Sequence, residues 1–180
     1  MARMTPVNVE TATGSAKAML ETVQKHLGVV PNMMQLMAQS PLVLECYMNF
    51  NGALGKGSLK PTVREQIALA VAEVNECEYC LAAHTAISKM MKMDDEVILA
   101  ARRGEAADAK LAPVLNFARL VVKHRGQVSE GDIKKLTEAG YDQAQIAEII
   151  ANVALAVFTN YFNVVAQTDC DFPAAPVLIQ

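Results

Sequence analysis

At 180 residues, with 16 lysines and arginines against 19 aspartates and glutamates, the chain has the length of one domain and a net charge of −3. That balance leaves no basic stripe to neutralise phosphates, which argues against a nucleic-acid partner, and the length can bury a core without a disulfide framework. The hydrophobic fraction is 52% and the charged fraction only 19%, so part of the apolar surface is expected to be buried between subunits of a homo-oligomer.

No stretch alternates apolar and polar residues over any length, so the fold class is all-α, without internal repeats or low-complexity segments. The opening "MARMTPVNVE" has no apolar h-region, and a cytoplasmic location is expected. The first helix spans Ser15–Leu27 and should end at Gly28. Helices at Pro31–Ala38 and Leu42–Ala53 follow, divided by Ser40–Pro41, which has the form of an N-cap with proline at the first helical position. "GKGSLKP" at Gly55–Pro61 is a clear break. From Pro61 a helix should run to about Val74, and a second from near Glu76 to Met91. Asp94–Arg102 is closed by Gly104, and Leu111–Lys123 stops at "HRG". Ser129–Ala139 opens with the capping pattern of "SEGD" and ends at Gly140.

The last helix, Asp142–Ala166, is the longest. Glu148, Asn152, Asn160 and Asn163 within it point to burial in protein rather than lipid, so no membrane partner is expected. The tail "DFPAAPVLIQ" is proline-broken and apolar, and is expected to dock on a neighbour. Met33, Met34, Met37, Met90, Met91 and Met93 suit a helical core or a subunit interface better than a ligand groove. His26 and His124 fit exposed helix C-termini, where a basic group suits the dipole.

The chemistry concentrates in "EVNECEYCLAAHT", Glu73–Thr85. On a helix, Cys80 lies about 60° from Cys77 and His84 about 40° from Cys80, so the three share one face. Two thiols at this spacing can close a disulfide, and an imidazole one turn on can take or return a thiol proton. Asn75 is the candidate N-cap, with Glu78 as its N3 partner. That places Cys77 at N2 and Cys80 at N5, where the dipole favours Cys77 as the more acidic thiol. The break also decides which carboxylate assists. On one continuous helix Glu65 would stand about 18 Å from Cys77. If the chain reverses at Asn75, Glu65 and His84 reach similar heights in a helical hairpin and can meet directly or through a water. Glu73, at the break itself, is expected to face solvent.

The run Leu59–Met90, "LKPTVREQIALAVAEVNECEYCLAAHTAISKM", resembles the AhpD-like carboxymuconolactone decarboxylase superfamily. It is most similar to the alkylhydroperoxidase, or peroxidase-related, branch with the pattern E-x11-C-x2-C-x3-H, here Glu65, Cys77, Cys80 and His84. "GVVPNMMQLMAQSPLVLECYMNFNGAL" and "FTNYFNVVAQTDCDFP" extend the resemblance over most of the chain. It implies a single AhpD-like helical domain over 1–180, with its motif core at 59–91 and the CxxC pair at the start of a central helix. The tail at 167–180 is the part expected to reach a neighbour, and trimers or hexamers are the implied assemblies. It also implies that the pair cycles between dithiol and disulfide while reducing hydroperoxides. Cys80 would attack, Cys77 would resolve, and Glu65 and His84 would relay the proton. No bound cofactor is implied; the electron donor is an external thiol, and a dihydrolipoyl group is the one the family suggests. The implied attacker differs from the dipole preference for Cys77, and a base one turn from Cys80 outweighs a dipole effect of about 1 kcal/mol. Tyr79 stands where the best-studied peroxidases carry a histidine, so one relay member is missing.

Two other chemistries use the same residues. Cys77, Cys80 and His84 offer three zinc ligands, with Cys46, His124 or Cys170 as a fourth, although no second CxxC or HxxxH appears. A decarboxylase-type reaction on a cyclic lactone acid would use Glu65 and His84 and leave the cysteines idle. A binding or adaptor role would keep the fold without turnover. The isolated Cys46 and Cys170 are expected to be buried and inert.

Overall fold

The computed structural model describes residues 2–178, so the last two residues of the expected docking tail lie outside the described residues. Among the described residues the chain forms nine helices and no strand. They are α1 (Gly14–Leu27), α2 (Asn32–Met37), α3 (Pro41–Leu54), α4 (Pro61–Val74), α5 (Glu78–Met90), α6 (Asp95–Arg103), α7 (Ala112–Lys123), α8 (Glu130–Glu138) and α9 (Gln143–Ala166). The boundaries follow local chemistry. Pro41 and Pro61 open α3 and α4 at positions whose N–H needs no helical partner. Gly28 and Gly104 end α1 and α6 at φ 75° and 82°, a conformation that costs a residue with a Cβ. Reciprocal capping boxes start α8 (Ser129 with Asp132) and α9 (Asp142 with Gln145). Ser40 holds the N-cap position of α3, but its hydroxyl makes no capping bond.

Helix α4 is the axis of the domain, packed against α5, α6, α7 and α9. It separates two apolar clusters. Ile67, Leu69 and Val71 join Leu115, Phe117 and Ile149 in one of them. Ala72 joins Leu20, Met37 and Leu44 in the other, which also contains Cys77 and Cys80. Helix α9 has the length and hydropathy of a membrane span, yet it packs on α3, α4, α5 and α7 and buries Asn152, Asn160 and Asn163. It is a core helix carrying amides on its inner face.

Met33, Met34 and Met37 are in the core, whereas Met90 and Met91 are exposed. His26 and His124 lie at the exposed ends of α1 and α7. Two expectations are corrected. Cys46 and Cys170 are exposed rather than buried, because neither lies on the inner face of its segment. Glu73 does not face open solvent: the Arg102 Nε donates to its Oε2 at 2.7 Å. Arg102 is buried on α6, and a buried guanidinium requires a counter-charge. The tail packs on its own chain, with Phe172 and Ala175 against the second cluster. The Arg102 Nη1 donates to the Pro176 carbonyl at 2.6 Å and ties the tail down.

The Glu73–Arg102 pair gives a direct test of this packing. Glu73→Ala is expected to destabilise the fold by about 2 kcal/mol, below the loss for a fully buried pair because the carboxylate keeps some contact with water. The denaturant midpoint should fall with its slope unchanged.

Candidate active site

The hairpin between α4 and α5 turns in three residues. Asn75 is the C-cap of α4, Glu76 takes φ 51°, and Cys77 is extended at φ −87°, ψ 90°. A left-handed glutamate is uncommon, and this one lets the chain double back at once. The N-cap of α5 is therefore Cys77, the last extended residue, and not Asn75 with Glu78 as its partner. The Cys77 Sγ accepts the backbone N–H of Cys80 at 3.2 Å, which fills the capping role. Cys80 becomes N3 rather than N5, closer to the positive end of the helix than the sequence implied. Asn75 Nδ2 instead donates to Asn160 Oδ1 on α9 at 2.9 Å, fixing the turn to the long helix.

The reversal brings Glu65 of α4 and His84 of α5 together. His84 Nδ1 lies 2.7 Å from Glu65 Oε2, a direct contact with no bridging water. Both side chains are mostly covered, 23% and 17% exposed. Burial opposes a charged imidazole here, but the Glu65 charge and hydrogen bond outweigh it and raise the His84 pKa above its ordinary value. The carboxylate binds Nδ1 and leaves Nε2 as the free ring nitrogen. Tyr47 of α3 lies within the field of Glu65. Burial, then the Glu65 charge, pushes its phenol up to about 12.

Cys77 and Cys80 are joined by a disulfide of 2.03 Å, and they are 1% and 3% exposed. Tyr79 between them is a strut. Its hydroxyl accepts the Met33 N–H at 3.3 Å, and its ring meets Phe172 of the tail edge-on at 5.7 Å between centroids. Burial raises the phenol pKa far above its ordinary value; the Met33 N–H opposes this and the Asp171 carboxylate adds to it. Tyr79 is neutral and does not replace an imidazole as a base.

One contact escaped the motif. Asn163 of α9 points its Nδ2 at the Cys80 Sγ, 3.4 Å away, and at the Met33 Sδ, 3.2 Å away. Its trace in the sequence is the polar asparagine in an otherwise apolar stretch. Among the described residues, no three His, Cys, Asp or Glu side chains stand together as a metal-ligand set.

Residues 41–124 match the carboxymuconolactone decarboxylase family, and the fold matches that of an alkylhydroperoxidase AhpD core, an uncharacterised peroxidase-related protein from Ralstonia eutropha. The chain thus has an AhpD-like fold with a carboxymuconolactone decarboxylase family match over its central part. The Ralstonia structure is 23% identical at a TM-score of 0.85, over 94% of this chain and 92% of that one. An uncharacterised peroxidase-related protein from a Silicibacter species is 24% identical at a TM-score of 0.80, over 93% and 92% of the two chains. The debrominase Bmp8, in complex with 2,3,4-tribromopyrrole, has a similar fold at 16% identity and a TM-score of 0.81, over 95% and 92%. No curated protein matches the sequence. A shared fold does not fix the chemistry, so the activity of this chain has to be argued from its own side chains.

The Glu65–His84 pair makes stability depend on pH with a definite sign. Because the folded imidazole has a raised pKa, its contribution is complete below the ordinary value of 6.5 and is lost as pH rises through the higher folded value. Glu65→Gln removes the charge and leaves burial acting alone. The His84 pKa is then expected to fall, because burial opposes the charged imidazole and the carboxylate charge no longer offsets it, as followed by NMR titration of the imidazole Cε1 proton.

Proposed function

We propose that this protein is a thiol-dependent peroxidase, a disulfide oxidoreductase of the alkylhydroperoxidase type that reduces organic hydroperoxides through Cys77 and Cys80. The observation that carries this reading is a disulfide at the start of α5, followed one turn later by an imidazole already bonded to a carboxylate.

In the reduced protein the Cys80 thiolate attacks the distal oxygen of the hydroperoxide. An S–O bond forms as the O–O bond breaks, two electrons leave the sulfur, and the alkoxide takes a proton to depart as the alcohol. His84, held protonated by Glu65, supplies that proton. The Cys77 thiolate then attacks the sulfenic sulfur. The S–S bond forms, the S–O bond breaks, and hydroxide leaves as water after protonation. An external dithiol, with a dihydrolipoyl group as the favoured donor, exchanges with the disulfide and is itself oxidised, which restores both thiols.

The cycle needs no bound cofactor and suits a reducing cytoplasm. Apolar side chains exposed on α9, Tyr161, Val164 and Val165 among them, support a homo-oligomer, a trimer or hexamer by the resemblance. The end of the tail, where Val177 is exposed, is the segment free to meet a neighbouring subunit.

Peroxide consumption coupled to dihydrolipoamide, and to a generic dithiol, tests the proposal. Cys80→Ser should lower the rate to that of the uncatalysed reaction. His84→Asn should lower it about 100-fold or more, because it removes a general acid. Equal rates for wild type and Cys80→Ser would sink the peroxidase reading. They would favour a reaction using only Glu65 and His84, such as proton transfer on a cyclic lactone acid.

A further inference from the structure

Asn163 is held in a way that ordinary packing does not require. It is buried, and its amide nitrogen faces two sulfurs, Cys80 Sγ and Met33 Sδ. The orientation of the amide is fixed from its other end. Thr168 donates its hydroxyl proton to Asn163 Oδ1 at 2.8 Å, so the oxygen is taken and the N–H groups are left for the sulfurs. Thr168 reaches that position because Gln167, the C-cap of α9, adopts φ 48°. The chain folds back there, and the Thr168 N–H also bonds the Asn163 carbonyl at 3.2 Å.

Thioether and disulfide sulfurs are weak acceptors. An amide buried against them alone recovers little of what it loses in leaving water. The balance changes when the disulfide is reduced. Cys80 can then carry a full negative charge, and the same donor makes a charge-assisted bond about twice as strong as a neutral one. We propose that Asn163 is a catalytic residue of this centre, whose amide N–H stabilises the Cys80 thiolate and so selects Cys80 over Cys77 as the attacking sulfur. This rests on the peroxidase reading given above.

The two sulfurs are served differently. Cys77 receives the backbone N–H of its own helix start, a donor present whatever the side chains. Cys80 receives a side-chain amide from a different helix, which a substitution can remove. The ionisable groups that the packed elements bring to this centre include Cys77, Tyr79 and His84 on α5, Glu65 on α4, Tyr47 on α3, and Cys170 and Asp171 of the tail. None of them is altered by a change at Asn163. Tyr79, standing in the relay histidine's place, is neutral and buried, so the amide supplies anion stabilisation that this position does not.

The test is the titration of Cys80 itself, in the Cys77→Ser background so that two thiols do not titrate as a pair. Peptide-resolved alkylation of the reduced protein by iodoacetamide, across about pH 5–10, gives the midpoint for Cys80 apart from the exposed Cys46 and Cys170. Asn163→Ala is expected to raise that midpoint by about one unit, a tenfold loss of thiolate below it. Asn163→Asp should raise it further, because a carboxylate repels the thiolate. Thr168→Val, which frees the amide to turn, should raise it by about half a unit. Midpoints within about 0.3 unit of the parent for both Asn163 variants overturn the proposal. If those variants fail to fold, an unmoved midpoint in Thr168→Val, a change at a half-buried side chain, overturns it instead. Alkylation involves no peroxide, so the two failures are separable. Unmoved midpoints with Cys80-dependent turnover remove Asn163 alone, whereas shifted midpoints with Cys80-independent turnover remove the peroxidase reading alone.

Discussion

Everything chemical in this domain depends on one reversal of direction between Val74 and Glu78. Helix α4 packs against α6, α7 and α9 as well as α5, and the turn decides how α5 lies on it. Glu76 in the left-handed region and Cys77 in the extended region make that turn in the fewest residues. Asn75 bonded to Asn160 keeps the turn against α9. With the turn fixed, Glu65 and His84 meet without a spacer, and the two sulfurs lie where α4, α5, α9 and the tail converge.

Around that turn the domain uses two kinds of polar burial. The Glu73–Arg102 pair joins α4 to α6 and, through the Pro176 carbonyl, to the tail. It is a structural clamp, needed because a guanidinium has been buried. The amides of α9 are of a different kind. Asn160 braces the turn and Asn163 faces the sulfurs, so two of the buried amides of a helix apolar enough to cross a membrane serve the centre. The neutral Tyr79 belongs with the struts, joining α5 to Met33 and to Phe172.

Much of this was legible in the sequence, because the signals are local. Pro61, Gly28 and Gly104 mark helix ends by backbone chemistry, and the capping pattern at Ser129 names its own partner. The meeting of Glu65 with His84 followed from counting along two helices either side of a break. The register of the break was not legible. Asparagine is a strong N-cap by propensity, and nothing in "NECE" announces that a glutamate will take positive φ. Contacts between distant parts of the chain were hidden for a related reason. Arg102 lies 29 residues from Glu73, and Asn163 lies 83 from Cys80. Pairing at those distances is set by how helices pack, which composition and spacing do not encode. The exposure of Cys46 and Cys170 is of the same sort, since it depends on which face of a segment the fold turns outward.

The compact turn also makes the motif's spacing a mechanical quantity. One residue added to or lost from α4 or α5, between Glu65 and His84, would rotate the partner side chain by about 100° and move it about 1.5 Å along the axis. The carboxylate and imidazole would then face different directions even with every motif residue still in place. The interval from Glu65 to Cys77 thus acts like the tooth count of a gear: changes of residue type within it are tolerated wherever packing allows, and changes of length are not.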